Sequence, residues 1–473
     1  MIDPATLPAR ISDIVRIRAQ QSPFAPALVD SGRTWTYGEL QDEVERRADW
    51  LRRLGVRAGD RVMLVSENCA VQVALLFAIA RLDAWSVNVN ARMSEGELDA
   101  IRAHCTPRRV IHATSDGVVA GPFDADTAAE PVRADGAQIA ALVYTTGTTG
   151  NPKGVMLSHA NLLFVAATSS RLRGLLPSDR AAGVLPISHV YGLTSVMLGT
   201  LYAGACLHLL PRFDAAALLA QIRDGALTIV QGVPAMYARL LALAGPGPLA
   251  STLRFCYAGG SPLDPQLKRA VEGLFGLPLH NGYGLTESAP TVCQTRLDAP
   301  RADTSVGHPI PGVEVRIEQS GELWVRGPNV MAGYYRDEAA TRAALRPGGW
   351  LATGDLACMG EDGALFIRGR LKELIIRSGF NVYPPEVEAA INSHPAVLQS
   401  AVVGRPVADG AEEVVAFVET REAVDEQALQ EWLVPRLAPY KRPSRIVFMD
   451  ALPAAPSGKV LKHRLTRHDA SVN

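Results

Sequence analysis

No spacing among the six cysteines (Cys69, Cys105, Cys206, Cys256, Cys293 and Cys358) pairs them as a zinc site or a disulfide framework would require. Each reads as a small apolar core residue, and the chain as one from a reducing, cytosolic compartment. Long apolar runs are also missing. The strongest, Val73–Ala80, falls far short of the roughly 20 residues that cross a bilayer, and Met1–Gln20 carries Asp3 and Asp13 where a secretory leader would be unbroken and apolar. Nor is there an excess of either charge: 47 Lys and Arg stand against 48 Asp and Glu. Without a global field the molecule cannot hold a polyanion such as DNA, so any anion must be gripped locally. Repeats and low-complexity tracts are absent.

What is present is material for packed interiors, with 48% apolar and 20% charged residues over 473 positions, enough for roughly two to four structural units. Short β-rich runs alternate with helical patterns early on: strand Arg61–Ser66, helix Ala70–Arg81, strand Trp85–Asn88. The alternation returns with strands at Ala181–Leu185, Cys206–Leu210, Leu227–Gln231 and Leu253–Ala258, and with helices at Asp214–Asp224, Pro234–Leu243 and Pro265–Phe275. This is the signature of parallel sheet in layered α/β subdomains. From Val313 the texture becomes strand, turn, strand (Val313–Glu318, then Glu322–Arg326), as in a small antiparallel, barrel-like piece. After Arg370 strands at Leu374–Ile376, Leu398–Gly404 and Val414–Glu419 mix with helices at Pro384–His394 and Asp425–Arg436, enough for a small α+β domain. The expected division is 1–371 and 372–473. The stretch from His104 to Ala141 looks short, with Asp124–Ala137 as a loop.

Chemistry enters at Tyr144–Gly154, YTTGTTGNPKG, between an expected strand (Ala141–Tyr144) and a helix starting near Ser158. Gly147, Gly150 and Gly154 let backbone N–H groups turn inward. Thr145, Thr146, Thr148 and Thr149 add hydroxyls, and Lys153 a cation, as a polyphosphate would need. The Walker A spacing is absent, since Lys153 precedes glycine rather than Ser or Thr. A mobile Thr/Gly surface loop is the competing reading.

Further motifs follow in order: LPISHVYG (185–192), AGGS (258–261), NGYGLTE (281–287), WLATGDL (350–356), RGRLKE (368–373), SGFN (378–381) and PSGK (456–459). Alone, each has a bland reading. Thr286-Glu287 could cap a helix, Thr353-Gly354-Asp355 is an ordinary turn, and His189 could be a bonded packing histidine. Together, in this order and across nearly the whole chain, they resemble the adenylate-forming superfamily of acyl- and aryl-CoA synthetases, peptide-synthetase adenylation domains and firefly luciferase.

The resemblance implies an ATP-dependent ligase that joins a carboxylate to AMP, releases pyrophosphate and passes the acyl group to a thiol, that of coenzyme A being preferred. It implies that Gly259, Gly260 and Ser261 approach the adenine with Asn281, Gly282 and Tyr283. Thr286 would meet the α-phosphate, Glu287 a Mg²⁺ ion, and Asp355 and Arg370 the ribose. It makes His189 a neighbour of the reacting carboxylate, Lys372 the hinge of a mobile C-terminal domain, Gly379 a residue of the pantetheine tunnel, and Lys459 a catalytic cation during adenylation only. From Arg436 to Arg467 eight basic residues face one acid, Asp450. Among them Lys441, Arg442 and Arg445 are candidates for CoA phosphates, a solvated basic face being the alternative.

Around the acid the resemblance places His189, Tyr191, Ser195, Val196, Gln231, Gly232, Val233, Asn281, Gly282 and Thr291. With no Arg or Lys among these, a monocarboxylate with an apolar body is expected, and dicarboxylates remain open. The runner-up function is a free-standing enzyme that loads an acyl-carrier protein. A luciferase-like oxygenase and a nucleotide-binding protein without activity have less in their favour. The expected partners are small molecules, with no nucleic acid and no membrane span, in a monomer or homodimer.

Overall fold

The computed structural model describes residues 6–124, 126–146, 152–245, 247–377, 380–407, 412–454 and 460–468, with side chains omitted at 146 and 466–468. The run AVQVALLFAIAR has no polar face, so as a helix it must be covered on every side. It forms the helix Ala70–Arg81, in which all residues from Ala70 to Ala80 are buried. Val73, Leu76 and Phe77 join the largest apolar core, while Leu75, Ala78 and Ile79 join a second cluster with Val62, Leu64 and Ile111.

Two large sheets share that interior. One has nine strands, ordered His308–Pro309, Thr291–Gln294, Leu279–Gly284, Phe255–Ala258, Ile229–Gly232, Arg180–Gly183, Cys206–Leu209, Pro26–Asp30 and Arg33–Thr36. Its centre is parallel and its edges antiparallel. The other has seven strands, ordered Gly333–Tyr334, Pro152–Ser158, Ile139–Thr146, Trp85–Asn90, Arg61–Ser66, Arg109–Thr114 and Gly117–Phe123. The α/β class read from alternation is therefore correct, as are the expected bounds of the helices Ala70–Arg81 and Pro265–Phe275.

Three local points correct or extend the expectations. Pro152–Ser158 is a strand that folds back on Ile139–Thr146, so the phosphate-loop segment closes a hairpin in which Thr145 faces Lys153. Its opening Pro-Lys-Gly reads as a turn signal, which hid the strand. The helix then starts at His159, with Ser158 and Asn161 forming a reciprocal cap. Second, the short stretch after His104 holds a hairpin, Arg109–Thr114 with Gly117–Phe123. The loop beyond it is pinned by buried arginines, Arg61 Nη1 donating to Ala128 O (2.8 Å) and Arg108 Nη1 to Asp124 O (2.7 Å). Third, Asp355 is not at a turn but inside the strand Trp350–Met359, which passes through Gly354 at φ +71° at an irregularity where its register with Glu322–Arg326 shifts, while Asp355 stays paired with Arg370.

That strand belongs to the antiparallel piece expected after Val313. It pairs with Glu322–Arg326, Leu345–Arg346 and Leu365–Arg370, and Glu314–Ile317 flanks Glu322–Arg326. The described pairings branch at Trp350–Met359. From Ile375 onward the strands Val397–Pro406, Glu412–Thr420 and Arg445–Phe448, the hairpin Ile375–Arg377 with Phe380–Val382, and the helices Pro384–Asn392 and Glu426–Leu433 enclose their own core. Val387, Ile391, Val402, Val414, Leu429 and Leu433 are fully buried there. No helix among the described residues is long and apolar enough to cross a membrane.

Candidate active site

Four strands of the nine-stranded sheet run parallel and in step. Ile229 is level with Ala181 and Phe255, and Gly232 with Ala258, which is level with Asn281. Their carboxyl ends open on one rim, the edge at which open parallel sheets bind ligands. Just beyond lie Leu185–His189, Val233, Gly259–Ser261 and Tyr283. A cleft at this rim is lined by Leu185, Pro186, His189, Tyr191, Val233, Gly260 and Ser261, which brings residues expected at the acid beside residues expected at the adenine.

Beside the cleft the expected ribose residues meet. Asp355 and Arg370 are register partners on adjacent strands. Tyr283 donates its hydroxyl to Asp355 Oδ2 at 2.5 Å, and Arg370 Nε stands 3.3 Å from Asp355 Oδ1. Burial, reinforced by the Asp355 charge, pushes the Tyr283 phenol well above its ordinary range and keeps it a donor. For Arg370 burial works against the cation, but Asp355, Glu373, Tyr283 and Glu287 outweigh it and hold the charge. Arg370 thus responds to Asp355 and Glu287 together, which places both carboxylates in one field.

Glu287 lies on a single helical turn, Thr286–Ser288, with Thr286 buried. Its Oε1 accepts from the Tyr334 hydroxyl at 2.7 Å, and Lys153 Nζ sits 5.0 Å from the centre of the same ring. Tyr334 is a residue that sequence reasoning missed. It reaches the site because Gly333–Tyr334 pairs with Met156 and Val155 beside the phosphate hairpin. Its phenol is raised by burial and by Glu287, so it too remains protonated. Among the described residues no group of three or more His, Cys, Asp or Glu could hold a metal by itself. One carboxylate, with no described residue bonded to Oε2, suits Mg²⁺ that takes its other ligands from phosphates and water.

The acid side is built on a π-helical turn, Tyr191–Leu198, a form common at functional sites. Gly192 is obligatory there, since a Cβ would lie 2.2 Å from Pro186 O. His189 Nδ1 accepts from Tyr191 N at 3.3 Å, so the neutral ring carries its proton on Nε2. Tyr191 is buried, which lifts its phenol to about 12, and its ring covers Gly259. Ser195 and Thr291 are hydrogen-bonded to each other at 3.2 Å, and Val196 is buried. Gln231 accepts from Arg173 Nη1 at 2.5 Å. Arg173 was not foreseen. Asn281 departs from expectation, because its amide is spent on the protein. Nδ2 donates to Thr304 O and Ser305 O (3.1 and 3.2 Å), while Oδ1 accepts from Gly282 N (3.0 Å).

Gly147, Thr148, Thr149, Gly150, Gly379 and Lys459 lie outside the described residues, as does the Thr146 side chain. Lys372 is exposed on the turn Leu371–Glu373, where the strand Leu365–Arg370 leaves the antiparallel sheet. Of the three candidate CoA cations, Lys441 pairs with Glu386 at 2.5 Å, and Arg442 donates to Leu437 O and Val434 O (2.9 and 3.0 Å). Arg445 opens the strand Arg445–Phe448.

Residues 15–335 match the model of the AMP-binding enzyme family, and residues 386–459 that of the AMP-binding enzyme C-terminal domain. The chain belongs to the AMP-binding enzyme family. A feruloyl-CoA synthase of an Amycolatopsis species is 35% identical over 95% of this chain and 97% of that one. ATP-bound MatB from Rhodopseudomonas palustris superposes with a TM-score of 0.87 at 30% identity, over 97% of this chain and 98% of that one. The o-succinylbenzoate coenzyme A synthetase of Bacillus subtilis, in complex with ATP and magnesium, gives 0.83 at 29%, over 96% and 98%. In this AMP-binding enzyme the structure brings Tyr283, Asp355 and Arg370 into one group and Glu287, Tyr334 and Lys153 into another.

Proposed function

We propose that this AMP-binding enzyme is an ATP-dependent carboxylate–CoA ligase that works through an acyl-adenylate. The observation that carries the reading is the grouping of Asp355 with Tyr283 and Arg370, of Glu287 with Tyr334, and of a cleft at the strand ends with His189 at its side. That relatives across the whole chain length are named as CoA ligases supports the acceptor.

A carboxylate and ATP repel each other, so the site must offset charge while it holds both in line. In our reading Asp355 accepts hydrogen bonds from the ribose, and Tyr283 lies along the base with Gly259–Ser261. Magnesium, when bound at Glu287, supplies neutralising charge to the phosphates. Tyr334 orients Glu287, while Lys153, Thr286 and the amides of the 145–150 segment face phosphate oxygens. His189 Nε2–H points a donor at the carboxylate. Lys459 adds a cation as oxygens crowd the α-phosphorus. The carboxylate oxygen attacks that phosphorus, pyrophosphate leaves, and the thiol sulfur of CoA then displaces AMP from the acyl carbon.

Two half-reactions are served by two placements of 372–473 against 1–371, with Lys372 as the pivot. The reading includes a cytoplasmic setting, in keeping with six unpaired cysteines. Purified protein given Mg²⁺-ATP, a panel of organic acids and CoA should yield AMP, pyrophosphate and an acyl-CoA by mass spectrometry. Transfer to a holo-carrier protein with none to CoA would shift the conclusion to the carrier-loading reading.

A further inference from the structure

Arg173 ends the helix His159–Leu172 as its C-cap residue, and it is only 3% exposed. A cation favours a helix C-terminus, but an exposed arginine would serve that purpose without the cost of burial. The guanidinium lies 4.6 Å from the Tyr257 ring centre, and Nη1 donates to Gln231 Oε1. Its Nε has no partner and no carboxylate pairs with it among the described residues. Gln231 Nε2 is buried and unpaired as well, and so are both amide atoms of Gln294. Gln231 is level with Tyr257, Tyr257 with His280, and Gln294 with Gly282, two residues on from His280. Register partners share a face, so this polar row covers the same face of the sheet as Arg173.

Buried polar atoms are rarely left unbonded, and a buried charge almost never is. On Arg173 and on Gln231, the residue bonded to it, the open groups are donors: Arg173 Nε–H and the Gln231 amide N–H. Tyr191 connects the row to the cleft, lining the cleft beside His189 while its hydroxyl responds to Arg173 and Tyr257.

Resting on the ligase reading, we propose that Arg173 and Gln231 form an oxyanion-recognising subsite at the far end of the acid, so that the substrate carries a second acidic oxygen group, such as a second carboxylate, opposite the one that is adenylated. This reverses the monocarboxylate preference drawn from sequence, which had no cation to place in the pocket.

The test uses the whole enzyme and sets of acids of equal length and shape that end in carboxylate, hydroxyl or methyl, in aromatic and straight-chain series. Carboxylate-dependent ATP–pyrophosphate exchange should give kcat/KM in the order carboxylate, hydroxyl, methyl in at least one series. Arg173→Gln should lower kcat/KM for the carboxylate-ended acid on the order of 100-fold, spare the methyl-ended one, and Arg173→Lys should recover part of the loss. Equal loss on all three acids, or a wild-type preference for the methyl-ended acid, overturns the subsite. Exchange with no acid at all counts against the ligase reading instead. Calorimetric binding of the same acids, which needs no turnover, still decides the subsite: binding of the carboxylate-ended acid that Arg173→Gln abolishes supports it, and wild-type indifference to the end group refutes it.

Discussion

At the scale of single residues the site depends on hydrogen bonds that hold charged groups in place. Tyr334 makes one such bond to Glu287 and carries its own proton at any working pH. Tyr334→Phe removes the donor but keeps the ring beneath Lys153. A hydrogen bond to a charged group contributes about 1.5–3 kcal/mol, so kcat/KM for ATP should fall roughly 10- to 100-fold. The Mg²⁺ concentration for half-maximal rate should rise with it, as read by exchange kinetics across a magnesium titration. An unchanged magnesium dependence would remove Tyr334 from the site. Neither Tyr334 nor Arg173 was legible in the sequence, for different reasons. Tyr334 meets Glu287 only because a two-residue strand joins the phosphate hairpin from far along the chain. Arg171 and Arg173 are indistinguishable as letters in RLR, and only the end of the helix turns Arg173 inward.

At the scale of elements, backbone geometry around the cleft leaves little latitude. The π-helical turn after His189 brings Gly192 against Pro186 O. Gly192→Ala forces backbone to move, a cost of roughly 1–3 kcal/mol by analogy with overpacked cores, and should lower both the melting temperature and the rate of exchange. The helix His159–Leu172 is tied to the first described segment through Ile11 N, which donates to His159 Nδ1 at 3.2 Å. Burial, with Arg10 nearby, drops the His159 pKa to about 3. The unfolded chain takes up that proton near the ordinary value of about 6.5. Stability from the neutral ring is therefore complete above that pH and is lost progressively as pH falls toward 3. Chemical denaturation at pH 7.5 and 5.5 should show a larger drop in wild type than in His159→Asn, by on the order of 1 kcal/mol. Equal drops would contradict the assignment. Elements of this kind were readable where an apolar run was long, as in Ala70–Arg81, or where periodicity followed a plain cap, as in Pro265–Phe275 after Asp264. Pro152–Ser158 and the π-helical turn were not, because turn-forming letters open the first and no composition marks the second.

At the scale of the whole molecule, the segments that hold His189, Gly260–Ser261 and Asn281 come to one rim because parallel strands of one sheet end on the same side. The sequence could not show that Asn281 is consumed in tethering residues 304 and 305, or that Asp355 lies within a strand opposite Arg370, because both depend on what lies across a sheet edge. The C-terminal core is packed separately from the large one, as a unit that pivots must be. Lys462 bridges Glu373, next to the proposed pivot, and Glu388 at 3.2 and 2.7 Å. If Lys459 serves only adenylation, Lys459→Ala should cut the first half-reaction by at least about 100-fold and leave thioester formation from supplied acyl-AMP near wild type. Equal loss in both would end the two-orientation account.

The central claim is that one rim joins a carboxyl oxygen to adenosine monophosphate. Its most direct measurement is the exchange of labelled pyrophosphate into ATP by purified enzyme with Mg²⁺ and an acid panel, in the absence of CoA. Label should enter ATP only when an accepted acid is present, and Asp355→Ala should abolish the incorporation. Failure of every acid to drive exchange, or exchange that needs no acid, would contradict it.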